Sequence, residues 1–157
     1  MSDENNAAAS EQPAGPQFGV QKTFIKDMSF ETPMGVKVFT KAFQPQIKLD
    51  VSTAHTLIAE NQYEVVLSLT VTAKIDEETA YLIEIQQAGI FAVSGFPEDQ
   101  LKHVLGAVCP NFLFPYAREC VDSTVVRGGF PPLSLAPIDF DALFRNSQGD
   151  AQEPSLN

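Results

Sequence analysis

Residues 63–74 alternate without a break. Tyr63, Val65, Leu67, Leu69, Val71 and Ala73 share one parity, and Glu64, Val66, Ser68, Thr70, Thr72 and Lys74 share the other. A period of two over this length fits an extended strand with one buried face and excludes an amphipathic helix. Asp76, Glu77 and Glu78 mark a solvated turn. A second run, 79–93, sets Tyr81, Ile83, Ile85, Phe91 and Val93 on one side and Leu82, Glu84, Gln86 and Ala88 on the other. Two such strands joined by a short turn make a β-hairpin. A slip of one residue would turn the apolar set into water, so the register is tightly specified.

The flanking patterns are weaker. In 18–31, Phe18, Val20, Phe24, Met28 and Phe30 share one parity, but Lys22 and Lys26 interrupt the apolar side and Ile25 the polar side. Pro33, Met34 and Gly35 read as a turn, 36–39 as a short extended piece, and Ile47, Leu49 and Val51 as a strand alternating with Lys48 and Asp50. Helical spacing appears only after the sheet. Pro97, Glu98 and Asp99 suit the positively polarised start of a helix. Leu101, Val104, Leu105 and Val108 continue it, with Cys109-Pro110 expected to end it. A second helix is expected over 111–126, with Leu113, Ala117, Cys120, Val121 and Thr124 as one stripe and Phe112 and Tyr116 as a further apolar side. Pro131, Pro132 and Pro137 enforce an extended crossing segment before a short helix at 139–144.

This pattern predicts an α+β unit, a four-stranded antiparallel sheet with two helices on one face. The surplus apolar surface on the helices predicts a homo-oligomer. With 157 residues, 44% of them hydrophobic, the chain supports one domain. Its patterned body is 17–145, between polar tails expected to be disordered at 1–16 and 146–157. The acidic start is unlike a secretory signal, and no run approaches the roughly 20 apolar residues that span a bilayer, so a cytoplasmic protein without membrane insertion is expected.

A net charge of −10 repels phosphate backbones and disfavours a nucleic-acid partner. No phosphate-cradling glycine loop, nucleophile elbow or zinc-protease motif is present. Cys109 and Cys120, with His55 and His103, cannot form a disulfide framework or readily hold a metal. Six residues separate His103 from Cys109, which sets them on mismatched helix sides, so both cysteines read as core residues and no catalytic group or cofactor is expected. One constellation remains. Asp27 and Glu31 share a parity of the first strand, and Leu82 and Glu84 the outward parity of the fourth. That places three carboxylates around an exposed leucine, either a plain solvated face or a dock for a basic partner.

Longer strings carry a resemblance: Tyr63-Glu64-Val65-Val66-Leu67, Glu77-Glu78-Thr79-Ala80, Gln86-Gln87-Ala88-Gly89-Ile90-Phe91, then Cys109-Pro110-Asn111-Phe112-Leu113-Phe114-Pro115-Tyr116-Ala117-Arg118-Glu119, and last Leu135-Ala136-Pro137-Ile138-Asp139-Phe140-Asp141-Ala142-Leu143-Phe144. In that order they resemble the SecB family of bacterial protein-export chaperones, over nearly the whole patterned body. The resemblance implies a four-stranded sheet backed by two helices, assembled as a homotetramer, a dimer of dimers with helices between outward-facing sheets. It implies an ATP-independent chaperone that holds unfolded secretory precursors and delivers them to the SecA ATPase.

SecA's basic zinc-binding segment docks on the acidic face in the family, and by position Asp27, Glu31, Leu82 and Glu84 match that site; the zinc belongs to the partner. The family's client groove matches Phe43, Ile47, Leu49 and Val51, with Leu143 and Phe144 from the last helix. Each of the six could equally be plain core. Phe43 stands where the family commonly has tryptophan, a departure that bears on aromatic preference. Non-directional apolar burial over a long groove suits a binder of many sequences. The alternative is a module of the same fold dedicated to one partner, such as a toxin–antitoxin component.

Overall fold

A computed structural model describes residues 15–150. Four strands, β1 (Gln17–Glu31), β2 (Gln46–Ala59), β3 (Gln62–Ile75) and β4 (Glu78–Ser94), form one antiparallel sheet in the order β1-β4-β3-β2. In the hairpin, Val71 opposes Ile83 and Leu69 opposes Ile85. Its two-residue turn, Asp76 and Glu77, takes left-handed backbone at both positions, the geometry that matches the twist of paired strands. The alternation of 63–74 and 79–93 is reproduced: Val65, Leu67, Leu69, Val71, Tyr81, Ile83, Ile85 and Phe91 are each at most 1% exposed.

β1 departs from its expected parity. Single extra residues between Val20 and Lys22 and between Ile25 and Asp27 shift the register against β4. A bulge exchanges the two faces of a strand, and a second one restores them. Between the bulges, Ile25 therefore turns to the helix side opposite Gln87, while Phe24 turns outward opposite Ala88. The apparent interruptions at Lys22, Ile25 and Lys26 are these bulges. Gln87, 4% exposed, donates its side-chain N–H to the Phe24 carbonyl at 3.1 Å and so satisfies backbone that the bulge disturbs.

Three further elements differ from expectation. Residues 36–39 are not extended; they lie in a 3-10 turn, Gly35–Thr40, entered through Gly35 at φ 58° and anchored by buried Val38. Cys109-Pro110 does not end the first helix. α1 (Glu98–His103) passes through a π-helical turn, Val104–Val108, into α2 (Cys109–Arg127). There the Cys109 N–H reaches back to the Val104 carbonyl, a five-residue step that widens the backbone where the proline ring would otherwise clash. α3 (Phe140–Asp150) outruns its expected end at 144, starting where Asp139 Oδ1 accepts the Ala142 N–H at 3.0 Å. Residues 146–150 of the expected tail are therefore helical, and the rest of both tails, apart from Gly15 and Pro16, lies outside the described residues.

α2 lays Cys109, Leu113, Ala117, Val121 and Val125, all buried, on the inner sheet face. Gly89 of β4 permits the close approach, since a Cβ there would stand 3.1 Å from both a Leu113 methyl and the Lys22 carbonyl oxygen. The crossing segment is tied to α2 by Asp122, whose Oδ1 accepts N–H groups from Leu133 and Ser134 at 3.0 and 3.1 Å.

Candidate functional site

The outer face of the sheet carries no helix of the described residues, and its registers give its layout. Glu31, Leu82, Thr72 and Lys48 form one row across the strands; Ser29, Glu84, Thr70 and Asp50 the next; Asp27, Gln86, Ser68 and Ser52 the third. Phe24, Ala88, Val66 and Ala54 follow, then Lys22, Ile90, Glu64 and Thr56. Asp27, Glu31, Leu82 and Glu84 are thus brought together within three adjacent rows of β1 and β4, as their parities predict. The carboxylates are exposed, and Leu82 is half-buried between them. Glu84 accepts the Ser29 hydroxyl at 3.5 Å. Among the described residues none of Asp27, Glu31 and Glu84 has an ion-pair partner, whereas Lys26 and Glu64 satisfy each other at 2.7 Å. Unpaired acids clustered on a flat surface create a local negative potential that draws a basic partner.

The six expected groove residues form a line along the opposite side, in two clusters joined by β2. Phe43 enters an aromatic cluster, 5.4 Å from the Phe130 ring and 6.5 Å from Tyr81. Ile47, Leu49 and Val51 stand on the helix side of β2, opposite Ala73, Val71 and Leu69. Val51, Leu143 and Phe144 share a cleft of about 560 Å³ with His55, Gly106 and Phe140. The Phe144 ring rests on Gly106, where a Cβ would lie 2.6 Å from it. Ile47 and Leu143 are 42% and 43% exposed, and the other four are half-buried, so the line is a rim rather than closed core. β2 is also an edge of the sheet, which leaves its outer backbone groups free to pair.

Sequence reasoning missed Phe39 and Phe130. Phe39, 56% exposed, packs tilted against Phe130 at 5.4 Å over Gly129, whose missing Cβ lets the ring lie close. Lys37 and Lys41 bond Glu78 at 3.1 and 3.4 Å, holding the turn beneath Phe39 and keeping the Glu78 carboxyl below its usual range. The one available signal was the density of phenylalanines, because turn and crossing segment lie some ninety residues apart.

The chemistry of the thiols is unpromising for catalysis. Burial pushes the Cys109 thiol up to about 12, far from a thiolate at neutral pH. His103 pairs with Asp141 of α3 instead, Nε2 to Oδ1 at 2.5 Å.

A family model described as preprotein translocase subunit SecB matches residues 11–151. The chain belongs to the SecB family. It is 50% identical over 98% of its length to the protein-export protein SecB of Marinobacter nauticus, covering 93% of that protein. It is likewise 50% identical to the protein-export protein SecB of Cellvibrio japonicus, over 98% of this chain and 92% of that one. Among solved structures, a Mycobacterium tuberculosis SecB-like chaperone in complex with a ChAD peptide from an antitoxin matches with a TM-score of 0.65. Sequence identity there is 17%, covering 77% of this chain and 90% of that one, so the likeness is one of fold. The α+β architecture is therefore that of SecB-like proteins.

Proposed function

We propose that this SecB-family chain is an ATP-independent cytoplasmic chaperone that holds unfolded secretory precursors and delivers them to SecA. The supporting observation is the division of labour between faces: an open apolar rim on one side and unpaired carboxylates on the other, in a chain half identical to protein-export proteins. The rim binds clients by apolar burial, worth about 25 cal/mol per Å² and indifferent to sequence detail. Phe39, Phe43 and Phe130 take aromatic side chains, Ile47, Leu49 and Val51 take aliphatic ones, and the cleft at Leu143 and Phe144 extends the track. The face of Asp27, Glu31, Leu82 and Glu84 receives the basic segment of SecA. No step needs a catalytic group or nucleotide.

The chain works as a homotetramer, a dimer of dimers. Phe18, Ile25 and Met28 of β1 and Phe112, Tyr116 and Val126 of α2 are each between 39% and 51% exposed on the helix side, a surface suited to a second copy. The charge of −10 on each chain keeps an assembly with open grooves soluble.

Calorimetric titration with two unrelated secretory precursors, unfolded and folded, tests this reading. Binding of both unfolded forms with a negative heat-capacity change, and of neither folded form, is expected. Binding of neither unfolded precursor would overturn the generalist and leave a module dedicated to one partner.

A further inference from the structure

We propose that the acidic face docks its partner through an apolar strip as well as through charge, with Phe24 as its contact residue. The proposal rests on the SecA reading above and adds what the docking segment must contain. Without bulges, β1 would place Phe24 on the helix side with Phe30 and Met28; the two register shifts turn it out onto the face of the carboxylates. Buried Gln87 supports that geometry through the Phe24 carbonyl. Once outside, Phe24 is half-buried in a row with Ala88, Val66 and Ala54, beside Ile90 of the next row. This strip lies one row from Asp27, roughly 7 Å along the strands.

Lys26, between Phe24 and Asp27 on β1, is self-neutralised by reaching Glu64 of the row beyond the strip at 2.7 Å, and in that same row exposed Lys22 repels a basic segment, so the footprint ends there. Along β1 and β4 the face therefore presents carboxylates, then an apolar strip, then a boundary. Its match is an extended basic segment with an apolar side chain about two residues from its Lys or Arg groups. Charge alone would recognise any basic tail; the strip selects among them.

The test titrates SecA into the full chain, wild type and three variants (Phe24→Ser, Phe24→Leu and Glu84→Lys), at about 50 mM and about 300 mM salt, where screening separates the two contributions. Phe24→Ser should weaken binding roughly fivefold at both salt concentrations, leave the salt dependence unchanged and make the heat-capacity change less negative. Phe24→Leu should stay within about twofold of wild type, since apolar area is kept. Glu84→Lys should weaken binding mainly at low salt. If Glu84→Lys is weakened and Phe24→Ser binds like wild type, the strip is idle and this inference fails while SecA docking stands. If Glu84→Lys also binds like wild type, the docking reading itself falls. Loss of unfolded-precursor binding in both Phe24 variants would overturn the inference too, because Phe24 would then be shaping the strand rather than the contact.

Discussion

The two faces of this sheet are made by the same four strands and have opposite characters. On the helix side, β3 and β4 offer an almost unbroken aliphatic surface that α2 closes to near-zero exposure. On the outer side, their other parity is largely half-buried and mixed; Glu64 is paired with Lys26, whereas Glu84, like Asp27 and Glu31 of β1, has no ion-pair partner among the described residues. Burial concentrates stability on the first face, and the proposed function assigns recognition to the second. The rim along β2 lies between them: its aromatic residues touch the core yet remain partly open. Changes on the three surfaces should therefore separate, and each is a way to test the division.

The largest effect is expected in the closed face. Leu113→Ala removes a fully buried side chain between α2 and β4 and should cost about 3 kcal/mol, read from the urea midpoint. A loss under about 1 kcal/mol would mean that α2 does not close the sheet in solution. The rim comes next. Phe39→Ala, at an exposed ring, should leave the urea midpoint nearly unchanged while weakening an aromatic-rich unfolded client roughly tenfold, about 1.4 kcal/mol. Equal losses of stability and affinity would make the rim part of the core.

On the outer face, Glu84→Lys should alter stability by less than about 0.5 kcal/mol and leave client binding intact while SecA binding falls. Parallel loss of both ligands would erase the distinction between faces. The smallest effect concerns the turn that carries Phe39. Lys37 and then Lys41 lower the folded-state pKa of Glu78 below its ordinary 4.5, so their tie contributes above that value and is lost as pH falls through the lowered one. NMR shifts of Val38 and Phe39 should be constant above about pH 5 and move together on acidification. Shifts that stay put would mean the exposed pair does not hold the turn.

How much could be read in advance follows from how each feature is encoded. The hairpin was legible because a pleat writes its two faces directly into alternate residues, and Leu82 and Glu84 inherit their outward position from it. Asp27 and Glu31 were legible as well, since they lie on one side of both bulges. Phe24 was not: its face depends on two extra residues whose effect is visible only against β4. The helix break at Pro110 was misjudged because a π-helical turn accommodates the ring at no sequence-visible position. Of the proposed groove, the alternation of Ile47, Leu49 and Val51 along β2 was visible in the sequence, but Phe39 and Phe130 meet only after the turn and the crossing segment fold together.

By itself, the sequence determined the α+β class, the β3–β4 register, the acidic surface and the absence of recognisable catalytic motifs, because those depend on local periodicity and on composition. Tertiary structure alone decided which way β1 faces in its middle, that one helical path continues from Glu98 to Arg127, and how the aromatic rim is assembled. Each of these is set by a neighbour distant in sequence, Gln87 against Phe24, Phe130 against Phe39, and no local pattern encodes a contact whose partner lies in another element.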